Sequence, residues 1–217
     1  MSHPLLLGHR GARATRSIPE NTLASFDLAL NHGCDGFEFD VRLTADGRAL
    51  ICHDPKLHGI EIAHAGPEQL SDVCTLDQVL ARYGARAFLD IELKVPALET
   101  TVLDCLKRNP PQRGYVVSSF LPGVLHELRT LDPDVPLGLI AETRAQLSTW
   151  QDVPAEFLIP HYTLIDINLI QMMHNGGRKV LLWTVNGRER MLHCLALGVE
   201  GIISDETEIL GQLRATL

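Results

Sequence analysis

Nine short apolar runs alternate with stretches of helical period along the 217 residues, and that rhythm leaves few folds open. The runs are Leu5–Gly8, Gly36–Leu43, Ala49–His53, Ala87–Lys94, Tyr115–Phe120, Leu137–Ala141, Phe157–His161, Lys179–Val185 and Gly201–Ser204. Amphipathic segments lie between most of them. Glu20–His32 carries Leu23, Phe26 and Leu30 on one face, and Leu121–Leu131, Leu164–His174, Arg188–Leu197 and Glu206–Leu217 repeat the pattern. Gly33, Gly84, Gly176 and Gly198 fall where such helices stop. Alternation of this kind predicts parallel strands joined by crossover helices. One link breaks the pattern, because only Thr44-Ala45-Asp46-Gly47-Arg48 separates the second run from the third. A parallel crossover needs about a dozen residues, so Asp46-Gly47 must turn an antiparallel hairpin. Setting that arm aside leaves eight strands with a helix for each, at about 27 residues per unit. The prediction is one α/β domain over 1–217, a compact (β/α)8 barrel. An open doubly wound sheet ranks below it, since no glycine-rich phosphate loop follows the first strand.

Composition bears on partners and compartment. Hydrophobic residues make up 45% and charged residues 21%, enough apolar side chain for a sizeable core. No apolar run approaches the roughly 20 residues of a membrane span. The opening Met1–Gly8 has no basic region and too short an apolar stretch for a signal peptide. Cys34, Cys52, Cys74, Cys105 and Cys194 form no CxxC pair, so reduced thiols in a cytoplasmic protein are expected. The net charge of -8 with no basic run argues against nucleic acid and anionic membrane surfaces as partners. It leaves room for an anionic substrate held locally by a metal.

Barrel strands are buried, so polar residues in them need a reason, and catalytic groups of this fold gather at the C-terminal strand ends. The first strand ends in His9-Arg10-Gly11. The second carries Glu38 and Asp40 between Phe37, Phe39 and Val41, which puts both carboxylates on one face. Glu92 and Lys94 share a face in the same way, and the hairpin arm ends in His53-Asp54. Three carboxylates, Glu38, Asp40 and Glu92, at one mouth would repel one another unless a divalent cation lies between them. Oxygen donors without cysteine favour Mg²⁺ or Ca²⁺ over zinc. His9 and His53 can pass a proton on and off an alcohol oxygen, and Arg10 and Lys94 suit an anionic phosphate. Strand-end position makes His161 and Trp183 candidates for the substrate wall. Glu20-Asn21, after Pro19, reads as a helix start with first-turn acidic charge, and Glu20 also stands where it can orient Arg10. His126, His174 and His193, on helices, read as hydrogen-bonded core residues, and Cys52 as core filler. The constellation is one of metal-assisted phosphoryl transfer.

At these residues the sequence resembles the glycerophosphodiester phosphodiesterase family. The matching pieces are His9-Arg10-Gly11, Pro19-Glu20-Asn21-Thr22, Glu38-Phe39-Asp40-Val41, Asp46-Gly47, His53-Asp54-Pro55 and Thr75–Leu80. Ile91-Glu92-Leu93-Lys94, Ser118-Ser119-Phe120, Trp183–Asn186 and Gly201–Asp205 complete them in order along almost the whole chain. The resemblance implies a (β/α)8 barrel that hydrolyses glycerophosphodiesters to glycerol 3-phosphate and an alcohol with one divalent cation. It implies Glu38, Asp40 and Glu92 as metal ligands, His9 and His53 as the acid–base pair, and Arg10 and Lys94 on phosphate. The segment Lys56–Cys74 departs from the family, being shorter than the usual cap and lacking its Asp-Arg-Thr-Thr-like opening, so a reduced or absent cap is expected. A lysophospholipase D or another lipid phosphodiesterase on the same barrel is the alternative. A metal-dependent lyase with Lys94 as base ranks below both, because it leaves the paired histidines unused.

Overall fold

The computed structural model describes residues 3–216. Eight parallel strands close into a ring: β1 (Leu5–His9), β2 (Gly36–Leu43), β6 (Phe88–Leu93), β7 (Tyr115–Ser119), β8 (Leu137–Ala141), β9 (Phe157–Pro160), β10 (Lys179–Leu182) and β11 (Gly201–Ser204), with β11 pairing back onto β1. A helix follows each: α1 (Leu23–Asn31), α2 (Leu76–Tyr83), α3 (Glu99–Arg108), α4 (Pro122–Leu131), α5 (Arg144–Leu147), α6 (Ile167–Asn175), α7 (Arg188–Ala196) and α8 (Thr207–Gln212). This is the predicted (β/α)8 barrel. The hairpin arm, β3 (Ala49–Ile51), stands outside the ring and pairs antiparallel with β2, Val41 opposite Ile51 and Leu43 opposite Ala49. Gly47 makes that turn at φ +84°, a backbone region costly for residues with a Cβ.

Period-two alternation separates two cores. Phe37, Phe39, Val41, Ile91 and Leu93 point outward against the helices, where Phe26 stacks on Phe37 with ring centroids 4.2 Å apart and Tyr83 meets Phe37 edge-on. Leu7, Phe88, Val116, Ile140, Phe157, Ile159, Leu181 and Ile203 form a second buried cluster from seven ring strands, which fills the barrel interior. His9, Asp90 and Glu92 share the strand face of Leu7 and Phe88, so the polar groups stand above an apolar floor.

Register then decides which polar groups meet. His9 lies opposite Glu38, and Glu38 opposite Asp90. One step up, Asp40 lies opposite Glu92, and Glu92 opposite Ser118. Gly36 permits this register, because a Cβ there would overlap the Phe88 carbonyl on β6.

Several elements are shorter than the apolar pattern suggests. β3 stops at Ile51, β9 at Pro160 and β10 at Leu182, with a single isolated parallel bridge, His161 opposite Trp183, beyond the last two. The first helix begins at Leu23 with Thr22 as its N-cap, so Glu20 and Asn21 precede it and the helix-start reading of that pair is corrected. Asn21 takes φ +57°, a conformation a helical first turn excludes. The final helix ends at Gln212 and continues as a 3₁₀ turn over Leu213–Thr216, and Leu217 lies outside the described residues, as do Met1 and Ser2. Residues 56–74 form a reduced cap: β4 (Lys56–Leu57) pairs with β5 (Ile60–Glu61), and Ile62, Ala65 and Leu70 pack on Leu50 and Cys52 in a small core of their own. His126 and His193 are exposed, which corrects their core reading, while His174 pairs with Glu200 at 3.2 Å. Among the described residues no helix is long and apolar enough to cross a membrane.

Candidate active site

Glu38, Asp40 and Glu92 converge at the C-terminal end of β2 and β6, each less than a tenth exposed. One carboxylate oxygen of each lies within 4.8 Å of the others. Glu38 Oε1 has no hydrogen-bond partner, and Asp40 Oδ1 and Glu92 Oε1 face only the Lys94 ammonium, at 3.3 and 2.6 Å. Asn21 Nδ2 donates to Asp40 Oδ2 at 2.8 Å, Arg10 Nε lies 3.2 Å from the same oxygen, and the Arg10 backbone N–H donates to Glu38 Oε2 at 3.0 Å. Burial, then the charges of Asp40 and Glu92, push the Glu38 carboxyl well above its usual range. Burial and Asp40 raise Glu92 to about 7. Burial acts on Asp40 too, yet Lys94 and Arg10 together hold it below its ordinary value. Three crowded carboxyl groups, each with a buried oxygen that has no hydrogen-bond partner, form a donor set that fits a hard divalent cation.

The two histidines have matching supports, each with a carboxylate on Nδ1. His9 is buried, its Nδ1 2.7 Å from Asp205 Oδ1 and its Nε2 3.8 Å from Glu38 Oε2. Asp205 also accepts from Arg13 Nη1 at 3.2 Å and Asn186 Nδ2 at 2.8 Å. A carboxylate on Nδ1 places the ring proton there and turns the Nε2 lone pair to the mouth. Burial lowers the His9 pKa below its ordinary value even against the pull of Asp205. His53 is about one-third exposed; its Nδ1 meets Asp54 Oδ1 at 2.8 Å, and its carbonyl accepts from Arg42 Nε at 2.7 Å.

A cavity of about 470 Å³ opens over these groups. His9, Arg10, Glu38, His53, Glu92 and Lys94 line it together with Phe120, Ile140, Ile159, Trp183 and Ile203. Trp183 meets Phe120 edge-on at 5.5 Å and His161 at 5.6 Å. His161 is outside the cavity lining: its Nδ1 is 2.7 Å from Thr163 Oγ1, and its ring backs Trp183. Of the nine residues singled out from the sequence, seven line the cavity; Asp40 lies fully buried behind it, and His161 stands behind the tryptophan.

The sequence model of the glycerophosphoryl diester phosphodiesterase family matches residues 9–61 and 61–209. The chain belongs to this family. It is 29% identical over 235 residues to a glycerophosphodiester phosphodiesterase of Caldanaerobacter subterraneus, covering 95% of this chain and 96% of that one. A glycerophosphodiester phosphodiesterase of Thermotoga maritima superposes with a TM-score of 0.84 at 25% identity, covering 99% of this chain and 100% of that one. An Oleispira antarctica phosphodiesterase, solved with the product sn-glycerol-3-phosphate, superposes with a TM-score of 0.85 at 25% identity over 98% and 97% of the two chains.

Four residues of this phosphodiesterase site escape strand-end reasoning. Asn21 donates to Asp40 from a loop, and its Pro19–Thr22 motif carries the only sequence signal. Asp205 and Asp54 support the histidines, and each stands beside a strand-end motif without an assigned role. Asp90 lines the cavity floor one row below Glu92, its Oδ1 accepting from the Ser118 hydroxyl, and burial raises it to about 7. Its two-residue offset from Glu92 was the available signal. Glu20 holds Arg10 at 2.7 Å, as its place beside the mouth suggests, and holds Arg13 at 2.7 Å as well.

Proposed function

We propose that this family member hydrolyses glycerophosphodiesters to glycerol 3-phosphate and a free alcohol, using one divalent cation, Mg²⁺ or Ca²⁺, and a pair of histidines. The observation that carries the reading is the joint geometry at the mouth: an acidic trio with unused oxygens, and two histidines that each have a carboxylate on Nδ1. The relative solved with sn-glycerol-3-phosphate supports the product.

Glu38, Asp40 and Glu92 would hold the cation, which when bound would supply Lewis-acid charge to a phosphate oxygen and make a nearby hydroxyl or water more acidic. Arg10 and Lys94, both on the cavity wall, bind the remaining phosphate oxygens. Phe120 and Trp183 flank the glycerol carbons, and His161 keeps the indole in place. One histidine takes the proton of the nucleophile, either water or the glycerol 2-hydroxyl, at Nε2. The other donates its proton to the alcohol oxygen as the P–O bond breaks. If the 2-hydroxyl attacks, the product is a cyclic phosphate, which water opens with the histidines in exchanged roles. The five free thiols support a reducing, cytoplasmic setting.

The test is a screen of metal-stripped protein over glycerophosphocholine, glycerophosphoethanolamine, glycerophosphoinositol and lysophosphatidylcholine, adding back one cation at a time. Glycerol 3-phosphate appearing only on addition of Mg²⁺ or Ca²⁺ is the expected result. Full activity without added cation overturns the metal assignment, and lysophosphatidic acid as the main product overturns the substrate.

A further inference from the structure

A second cavity, of about 630 Å³, lies between the loop before α1, the hairpin arm and the reduced cap. His53 lines it and also lines the catalytic cavity, so the two chambers share one wall. Asn21 and Glu20 form more of that wall, and each contacts a residue of the acidic site on its far side, Asp40 and Arg10 respectively. A diester that places its phosphate at the acidic trio and its glycerol against Phe120 and Trp183 has one substituent left to accommodate. The chamber beyond His53 adjoins that position.

The lining says what the chamber holds. No Phe, Tyr or Trp lines it, so a trimethylammonium group finds no aromatic face for cation–π contact. Most of its charged groups are already engaged. Glu20 is held by Arg10 and Arg13, Asp54 by His53, and Lys56 by Glu61 at 2.9 Å. Asp72 is the exception: it is exposed on the cap side of the chamber and enters no ion pair among the described residues. A free carboxylate rewards a cation that can donate hydrogen bonds, which a primary ammonium does and a quaternary one cannot. Leu23, Ile51, Leu57 and Val73 also line the chamber and suit the methylenes of a short alcohol.

We propose that this chamber is the leaving-alcohol subsite and that it selects a short alcohol bearing a primary ammonium, with Asp72 as its partner. The assignment rests on the diesterase reading above. The experiment compares kcat/KM for glycerophosphoethanolamine and glycerophosphocholine in the wild type, D72N and K56W, with the preferred cation present. The wild type is expected to favour the ethanolamine diester. D72N should shrink that preference about two- to fivefold, the effect of losing one accessible charged contact. K56W, which places an indole on the chamber wall, should shift the ratio toward choline. Equal kcat/KM for the two diesters in the wild type, or a D72N variant that keeps the full preference, overturns the subsite while leaving the diesterase reading intact. Failure to hydrolyse either diester, with any cation, overturns both. Thermal melts of both variants, at exposed positions, separate a changed preference from a damaged fold.

Discussion

Replacing Asp205 with Asn tests whether the carboxylate behind His9 sets the chemistry of that histidine. Asp205 Oδ1 faces His9 Nδ1 at 2.7 Å and Arg13 Nη1 at 3.2 Å, while Oδ2 accepts from Asn186 Nδ2 at 2.8 Å. Asn186 cannot turn its amide round, because its Oδ1 accepts from Ser204 Oγ at 2.9 Å and from the Asp205 backbone N–H at 3.0 Å. An asparagine at 205 that keeps its carbonyl oxygen on the Asn186 side turns its NH₂ to His9 and gives up Arg13, a donor that Glu20 still holds at 2.7 Å. His9 must then accept at Nδ1, which moves its proton to Nε2 and removes the lone pair from the mouth. The imidazolium formed during turnover also loses its counter-charge. Loss of the correct tautomer in a histidine–aspartate pair costs about 10²–10⁴ in kcat, or roughly 3–5 kcal/mol of transition-state stabilisation. KM should move by no more than about threefold, because the acidic trio, Arg10 and Lys94 are untouched. Release of glycerol 3-phosphate from a glycerophosphodiester, followed over a substrate range, gives both constants. Nitrogen NMR of His9 reads the tautomer directly. A D205N enzyme with kcat within threefold of the wild type, or with Nδ1 of His9 still protonated, refutes the reasoning.

Ala in place of either His9 or His53 should lower kcat by about 10²-fold or more, measured in the same assay, and near wild-type rates in both variants would sink the acid–base pair. Asp90 and Glu92 are raised to about 7, so each contributes stability to the cation-free protein that is present at low pH and fades as pH rises from their ordinary range through about 7. Thermal melts of metal-stripped protein between pH 5 and 8 should accordingly fall with pH by roughly the linkage of these groups, and a divalent cation should reverse the trend most strongly at pH 8. Leu at position 21 removes the amide that donates to buried Asp40 Oδ2 and should cost about 1–3 kcal/mol in denaturant unfolding, together with weaker cation binding by titration calorimetry. The buried Asp90–Ser118 contact, 2.5 Å long, should accept D90N with activity within about tenfold, because an amide keeps the hydrogen bond without the charge.

How far the site can be read from the chain differs from residue to residue. Glu38 and Asp40 are legible because a buried strand leaves carboxylates at alternate positions no other explanation, and Glu92 follows by the same argument. His9 and His53 are legible as strand-end residues. Local rules place the start of the first helix at Glu20, because Pro19-Glu20 satisfies them, whereas the helix starts at Leu23. The chain instead spends Glu20 on Arg10 and Arg13, and Asn21 on Asp40, before capping the helix with Thr22. Those partners are remote in sequence for Asp40, 19 residues away, and no local rule sees them. His161 shows the opposite failure. Its strand-end position is right, but the strand stops at Pro160 and the ring turns to support Trp183.

Pattern alone, without a partner in view, determines the eight ring strands, the hairpin arm beside β2 and which side of each strand is polar, because these follow from periods of 2 and 3.6 and from the length a connection must span; the two-residue strands β4 and β5 are too short to show a period. Closure of the ring is a tertiary event, and with it came everything that depends on register. Pairing of β1, β2 and β6 aligned His9 with Glu38 and Asp40 with Glu92, and return of β11 to β1 brought Asp205 to His9 across 196 residues of chain. The same closure removed water from the trio, which is why the pKa values of Glu38 and Glu92 rise above their ordinary range in the folded chain while Lys94 and Arg10 hold Asp40 below its own. The residue types were written in the sequence; their pKa values, tautomers and shared cavities exist only once the barrel has closed.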